Sequence, residues 1–242
     1  MGDKEFLWII SGTIAGFFLL LAIICAASLI RDHFVNRGDY KDGGGKQIGG
    51  QDMPFFASAN DSAGIKGEIK TNYYLRPLLR NDEYLLANLL IPLKNGWKTE
   101  IDCILISRKG VFCIETKRWV GHISGDDKDE YWIQQYDDPC KSDREHPNPV
   151  RQNEDHCQLI ERILRNKYEV INAVVFADLE DGLNIDSNYV YTIDGFKYCY
   201  RSMVERVSIE EVENIYQTLV KYVASEEELK QFKKDIQRRN EA

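Results

Sequence analysis

Hydrophobic and polar positions divide the chain into three regimes. Phe6 to Ile30 is an unbroken run of 25 residues without a charge, long enough to cross a hydrocarbon core of about 30 Å. From Arg31 to Asp52 the pattern is lost. Gly43-Gly44-Gly45 and Gly49-Gly50 lie in a polar stretch that buries too little surface to order itself, so it reads as a flexible linker. Apolar residues then return with two periods. Gly64 to Leu79 has helical spacing, with Tyr74, Leu75, Leu78 and Leu79 apolar and Pro77 bending or ending the helix. Glu83 to Ile91 reads as a strand closed by Pro92. Ile101 to Ile106 and Val111 to Ile114 flank Ser107-Arg108-Lys109-Gly110, which predicts a β-hairpin. Gly121 to Gly125 is a short strand or turn, and Tyr131-Trp132-Ile133 another short strand. Pro147-Asn148-Pro149 opens a helix from about Val150 to Arg165 with the stripe Leu159, Ile160, Ile163 and Leu164. Val170 to Phe176 is a fully apolar strand, and Tyr189 to Tyr200 reads as one or two more. Ser208 with Glu211, and Ser225 with Glu228, are capping boxes that start two helices. The first has the apolar face Ile209, Val212, Ile215, Tyr216, Leu219 and Val223. The second, through Ile236, is mostly charged and reads as solvated.

This order predicts an α/β domain, a mixed central sheet flanked by helices, preceded by one transmembrane helix. The segments are a tail over 1–5, a membrane helix over 6–30, a linker over 31–61, a domain over 62–178 and a C-terminal extension over 179–242. The apolar run is too long for a cleaved signal peptide and lacks a small-x-small site before Arg31. Lys4 alone precedes it, whereas Arg31, Arg37, Lys41 and Lys46 follow, so the large domain is expected on the cytoplasmic face of an inner membrane, as a single-pass protein. A net charge of −8 excludes polyanion binding over the whole surface; nucleic-acid contact needs a local basic patch. The six cysteines contain no C-x-x-C pair, and two fall inside expected strands, which argues against a disulfide framework or structural zinc.

The hairpin carries the chemistry. Its strands are apolar on both faces, so Asp102, Glu115 and Lys117 stand where a core would have aliphatics. With Arg108 and Lys109 as the turn residues, Asp102 lies opposite Glu115; with Lys109 and Gly110, it lies opposite Lys117. Two carboxylates and an ammonium share one face in either register. Carboxylates that close repel unless a cation sits between them, and an oxygen-only cluster suits Mg²⁺. Glu-x-Lys alone has little weight, since Glu68-Ile69-Lys70 and Glu228-Leu229-Lys230 also fit it.

Gly67-Glu68, Thr99-Glu100-Ile101-Asp102, Gly110-Val111-Phe112, Ile114-Glu115-Thr116-Lys117, Gly121-His122-Ile123, Trp132 and Asn148-Pro149-x-x-Gln152-Asn153-x-x-His156 resemble the NERD (nuclease-related) domain. That family is similar to the PD-(D/E)xK nucleases, whose core is restriction-endonuclease-like. The resemblance covers roughly Ser62 to Asp178. It implies that Asp102 and Glu115 hold Mg²⁺ or Mn²⁺ with the Thr116 carbonyl as a third oxygen. It further implies that Lys117 orients the attacking water or clamps the phosphate, that Glu68 supports the metal, and that Gln152 matches a glutamine near the site. The position four residues after Gln152 is His156 rather than the tyrosine of that motif, and Cys103 departs from the residue usual after the aspartate. Arg108, Lys109 and Arg118 are candidate phosphate contacts, with Arg76 and Arg80 as an extension.

Two functions follow. One is a membrane-anchored, metal-dependent nuclease acting on DNA. The other is a nuclease fold without catalysis that binds nucleic acid or a protein partner at the membrane. The net charge of −8 leans to the second, the intact Asp102, Glu115 and Lys117 to the first.

Overall fold

The computed structural model describes residues 45–50, 63–179 and 183–241. The segment 6–30 and most of the linker lie outside them. Among the described residues no helix is long and apolar enough to cross a membrane.

Helix α1 (Ala63–Leu75) runs into a single 3₁₀ turn, Arg76–Leu78, where Pro77 removes the amide that would continue it. Strands β2 (Tyr84–Pro92), β3 (Lys98–Ser107) and β4 (Gly110–Lys117) form an antiparallel meander. Strand β8 (Val170–Phe176) joins β4 in parallel. With β1 (Lys46–Ile48) and β10 (Val190–Thr192) at the edges, the main sheet has the order β1-β2-β3-β4-β8-β10. Helix α2 (Pro149–Ile163) crosses between β4 and β8, covering one face with Cys157 and Ile160. The other face is covered by α1 and by α3 (Ile193–Ser202), through Leu75, Phe196 and Tyr200. Helix α4 (Ile209–Leu219) packs on the first face through Val212, Ile215 and Leu219. Helix α5 (Glu226–Asn240) closes the described chain.

A mixed sheet flanked by helices matches the expected class. A second sheet does not follow from the sequence. Strands β5 (His122–Ser124), β6 (Tyr131–Gln135), β7 (Arg144–Pro147) and β9 (Leu183–Asn184) pair in the order β7-β6-β5-β9. Trp132 and Ile123 bury against Val174 and Phe176 beneath it. These strands are too short to show a period.

Three expectations are corrected. Lys46–Ile48 lies in the stretch read as linker, yet it pairs in parallel with Tyr84–Leu86. Its hydrogen bonds come from the backbone, so the open edge of β2 recruits it whatever its side chains, and Ile48 packs against the core. Gly49 and Gly50, at φ of 77° and 67°, then turn the chain off the edge. Tyr189 to Tyr200 is strand only to Thr192. The Thr192 hydroxyl accepts from Gly195 N–H at 3.0 Å and caps α3, whose buried Ile193, Phe196 and Tyr200 repeat at helical rather than alternating spacing. Helix α5 has mostly exposed side chains but is docked, with the Arg239 guanidinium 3.9 Å from the Trp97 ring centre and Lys233 Nζ 3.6 Å from Glu100.

Candidate functional site

Strands β3 and β4 pair from Ser107↔Gly110 to Cys103↔Ile114, and the ladder stops there. Arg108 and Lys109 are therefore the turn residues, and continuing the register sets Asp102 opposite Glu115. Beyond the last pair the strands part. The Asp102 carboxylate enters the gap and its Oδ2 accepts the Thr116 N–H at 2.8 Å. A residue's N–H and C=O point to the same side of a strand, so the Thr116 carbonyl faces this gap too. Lys117 alternates to the other edge, where its carbonyl accepts from Ala177 N–H at 2.9 Å.

The parting has a cause in β2 and β3. Tyr84 and Leu86, then Leu89 and Ile91, pack in one core layer with Ile106, Ile104 and then Ile101. Alternation thus slips by one residue on both strands, at Asn88 and at Asp102. The ladder runs from Ala87↔Cys103 to Leu89↔Ile101 without pairing the two residues between. Asn88 absorbs the slip in a left-handed conformation, φ 58°, which asparagine tolerates better than most residues.

Helices on both faces complete the site. From α2, Gln152 Nε2 donates to Glu115 Oε1 at 3.0 Å and His156 Nδ1 lies 3.8 Å from Glu115 Oε2. His156 Nε2 meets the Thr99 hydroxyl at 3.1 Å. Lys117 Nζ bonds the same Glu115 Oε1 at 2.6 Å and reaches Gln152 Oε1 at 3.4 Å. On α1, Gly67 lets the helix approach β4 closely: a Cβ there would stand 3.0 Å from Arg118 Cβ and 3.4 Å from Thr116 Cγ2. That closeness carries Glu68 into the field of Asp102 and Glu115.

A buried polar network holds α2 in register. Asn153 Nδ2 donates to the Cys113 carbonyl at 2.8 Å and to Asn172 Oδ1 at 2.7 Å. Asn172 Nδ2 returns to the Val150 carbonyl at 2.9 Å. Asn148 caps the helix by accepting from Val150 N–H at 2.9 Å, and its amide binds the carbonyls of Asp126, Asp127 and Asp129. Asn172 interrupts the strand that the sequence reads as fully apolar, and that interruption is the signal for this network.

Electrostatics follow from the burial. Desolvation, then the charges of Glu115 and Glu68, push the Asp102 carboxyl well above the usual range, against the opposing Thr116 hydrogen bond. Desolvation also raises Glu68; Lys233 opposes that, and Glu100 and Glu115 add to it. Burial holds the His156 imidazole below its ordinary value despite the nearby Glu115. A buried Asp102 carboxyl that resists ionisation beside other acids is what a dication relieves. Among the described residues no three His, Cys, Asp or Glu side chains close into a ready-made cage. Mg²⁺ does not need one, because it keeps several waters and takes one or two carboxylates. Asp102, Glu115 and the Thr116 carbonyl fit that requirement, with Glu68 close enough for its charge to act on Asp102.

Asp102, Glu115, Thr116, Lys117, Glu68 and Gln152 are therefore brought together. Arg118 stays at the edge, paired with Asp178, which Lys70 also binds at 2.7 Å. Arg108 and Lys109 are not brought there. They sit at the hairpin turn, about six residues and on the order of 20 Å along the strand from Asp102. Arg108 bonds Asp82 at 2.5 Å, and Lys109 donates to the carbonyls of Tyr200 and Arg201 at 2.8 and 2.9 Å. Arg80 pairs with Glu205 at 2.7 Å. A turn of basic residues reads as a phosphate patch, but here it fastens the far end of the hairpin to α3. Lys233 was missed, since nothing in a charged terminal helix says which of its lysines faces the acids.

Residues 63–177 match the family model of the nuclease-related domain, NERD. An uncharacterized protein of Bacillus anthracis is 28% identical over 164 residues, which cover 65% of this chain and 76% of that protein. No solved structure matches.

Proposed function

We propose, from the nuclease-related domain that the chain contains over residues 63–177, that this protein hydrolyses phosphodiester bonds of nucleic acid, DNA foremost, with Mg²⁺ or Mn²⁺. One observation carries the reading: the hairpin parts where Asp102 faces Glu115, so two acids and the Thr116 carbonyl share a gap in which burial and neighbouring acids hold the Asp102 carboxyl well above its usual range. A dication held there would offset charge on the phosphate and acidify a water bound to it. The rest falls to the protein. Lys117, oriented by Glu115 and Gln152, offers ammonium hydrogens to a phosphate oxygen or to the attacking water. Glu68 approaches from the opposite helix and can hold a water beside the gap. Gln152 fixes the Glu115 carboxylate against rotation.

The membrane part of the proposal has support from sequence alone. The 25 uncharged residues from Phe6, with four basic residues after them and one before, anchor the domain on the cytoplasmic face.

The test is plasmid nicking by the purified chain with Mg²⁺ or Mn²⁺, against Asp102→Ala, Glu115→Ala and Lys117→Ala proteins shown to be folded. Loss in all three supports hydrolysis at this gap. Equal cutting by all three, or no metal-dependent cutting by the parent, leaves the second reading, a binding module of nuclease ancestry, which the net charge of −8 favours.

A further inference from the structure

A cavity of about 200 Å³ lies beside Glu68, and the chemistry above does not use it. Among the described residues its apolar walls include Ile69 of α1 and Leu229 of α5, and Glu68 and Lys233 also line it. Two residues with side-chain amides line it, Asn72 and Asn88. Asn72 is only 3% exposed, yet among the described residues its Oδ1 has no hydrogen-bond partner, and neither has Oδ1 of Asn88. Buried amide oxygens are rarely left so. Asn88 is the residue opposite Asp102 at the interrupted ladder, so the cavity begins about one strand spacing, roughly 5 Å, from the proposed metal ligand. A primary amide presents a donor beside an acceptor, the pattern that meets the edge of a nucleobase, and aliphatic walls suit its faces.

We propose that this cavity receives the unstacked base of a nucleotide next to the scissile phosphate, with Asn72 and Asn88 contacting its edge and Lys233 its backbone. The proposal rests on the nuclease reading. It gives the extension after residue 177 a role, because Leu229 and Lys233 belong to α5 and lie outside the family domain. It also narrows the substrate to single-stranded or locally unpaired nucleic acid, since a base within a duplex stack cannot enter.

The experiment uses the full chain carrying Asp102→Asn, so that binding is read without cutting. Fluorescence anisotropy compares a short labelled single strand with a series in which one abasic residue is walked along it, in Mg²⁺. One abasic position should weaken binding about tenfold, the others much less. Asn72→Leu should weaken the intact strand by a similar factor and abolish the abasic effect. Asn88→Gly, which keeps the left-handed backbone and deletes the amide, should do the same and guards against a folding defect in the first variant. Equal binding of the whole abasic series, or a full abasic penalty surviving in both variants, overturns the base pocket. Metal-dependent cleavage of plasmid and of single-stranded DNA by the unmodified chain is scored separately. If cleavage persists while the abasic series is flat, only the pocket falls; if neither substrate is cut, the nuclease reading falls.

Discussion

The Thr116 backbone N–H donates to Asp102 Oδ2 at 2.8 Å, at the point where β3 and β4 have ceased to pair. A side chain thus occupies the place of a ladder carbonyl, and the cost is an acid held near two others. Because the folded protein raises the Asp102 pKa, its contribution to stability is present below the unfolded value and is lost as pH rises through the folded one. Asp102→Asn, whose amide oxygen can still accept from Thr116, should therefore raise the melting temperature by on the order of a few degrees at pH 7.5 without metal. The gain should vanish near pH 4. Thermal unfolding at the two pH values checks this, and an equal gain at both contradicts it.

Metal binding should depend on the same protons. Asp102 and Glu68 both retain theirs above the ordinary carboxylate range, so a dication must displace protons to bind. Apparent Mg²⁺ or Mn²⁺ affinity should rise as the pH climbs above the ordinary carboxylate range, with proton release visible by calorimetry in buffers of different ionisation enthalpy. Affinity that stays flat through that climb argues against a site formed by these carboxylates.

Glu115→Gln would keep the bond from Gln152 but remove the charge that holds Lys117 at 2.6 Å. Nicking should fall by about 100-fold or more, with far-ultraviolet circular dichroism unchanged. Lys117→Ala should lower turnover by a similar factor while metal affinity stays near that of the parent. Loss of metal binding in Lys117→Ala would instead give the lysine a structural role.

Asn153→Ala would strip the Cys113 carbonyl and Asn172 Oδ1 of one donor. Buried groups left unpaired cost about 1–3 kcal/mol, so urea unfolding should show a loss of that size. Adding Asn172→Ala should cost less than the sum of the two single changes, because the pair share a bond. Strict additivity would mean the network does not act as a unit.

Arg108→Ala tests the phosphate contact that the sequence suggests at the hairpin turn. It should lower stability by about 0.2–1 kcal/mol through the half-buried pair with Asp82, and leave the affinity for single strands and its salt dependence unaltered. A shallower salt slope would restore Arg108 as a nucleic-acid contact.

What the sequence determined by itself is set by local rules. Two apolar runs around a polar turn can only be a hairpin, and alternation with a side-chain period of two fixes which acids share a face. Ser208 with Glu211 and Ser225 with Glu228 close as capping boxes because each box needs only its own four residues. The turn residues, open between two registers in the sequence, were decided when β4 also paired with β8 and its residues faced α2. Tertiary structure alone decided the slip at Asn88 and Asp102, since a break in pairing depends on the partner strand. It also decided the edge pairing of Lys46–Ile48, the helix inside Tyr189 to Tyr200, and the Lys233 approach to Glu68 and Glu100. Those features arise from surfaces that meet only after folding, where a free edge, a buried face or a desolvated charge chooses its partner irrespective of distance along the chain.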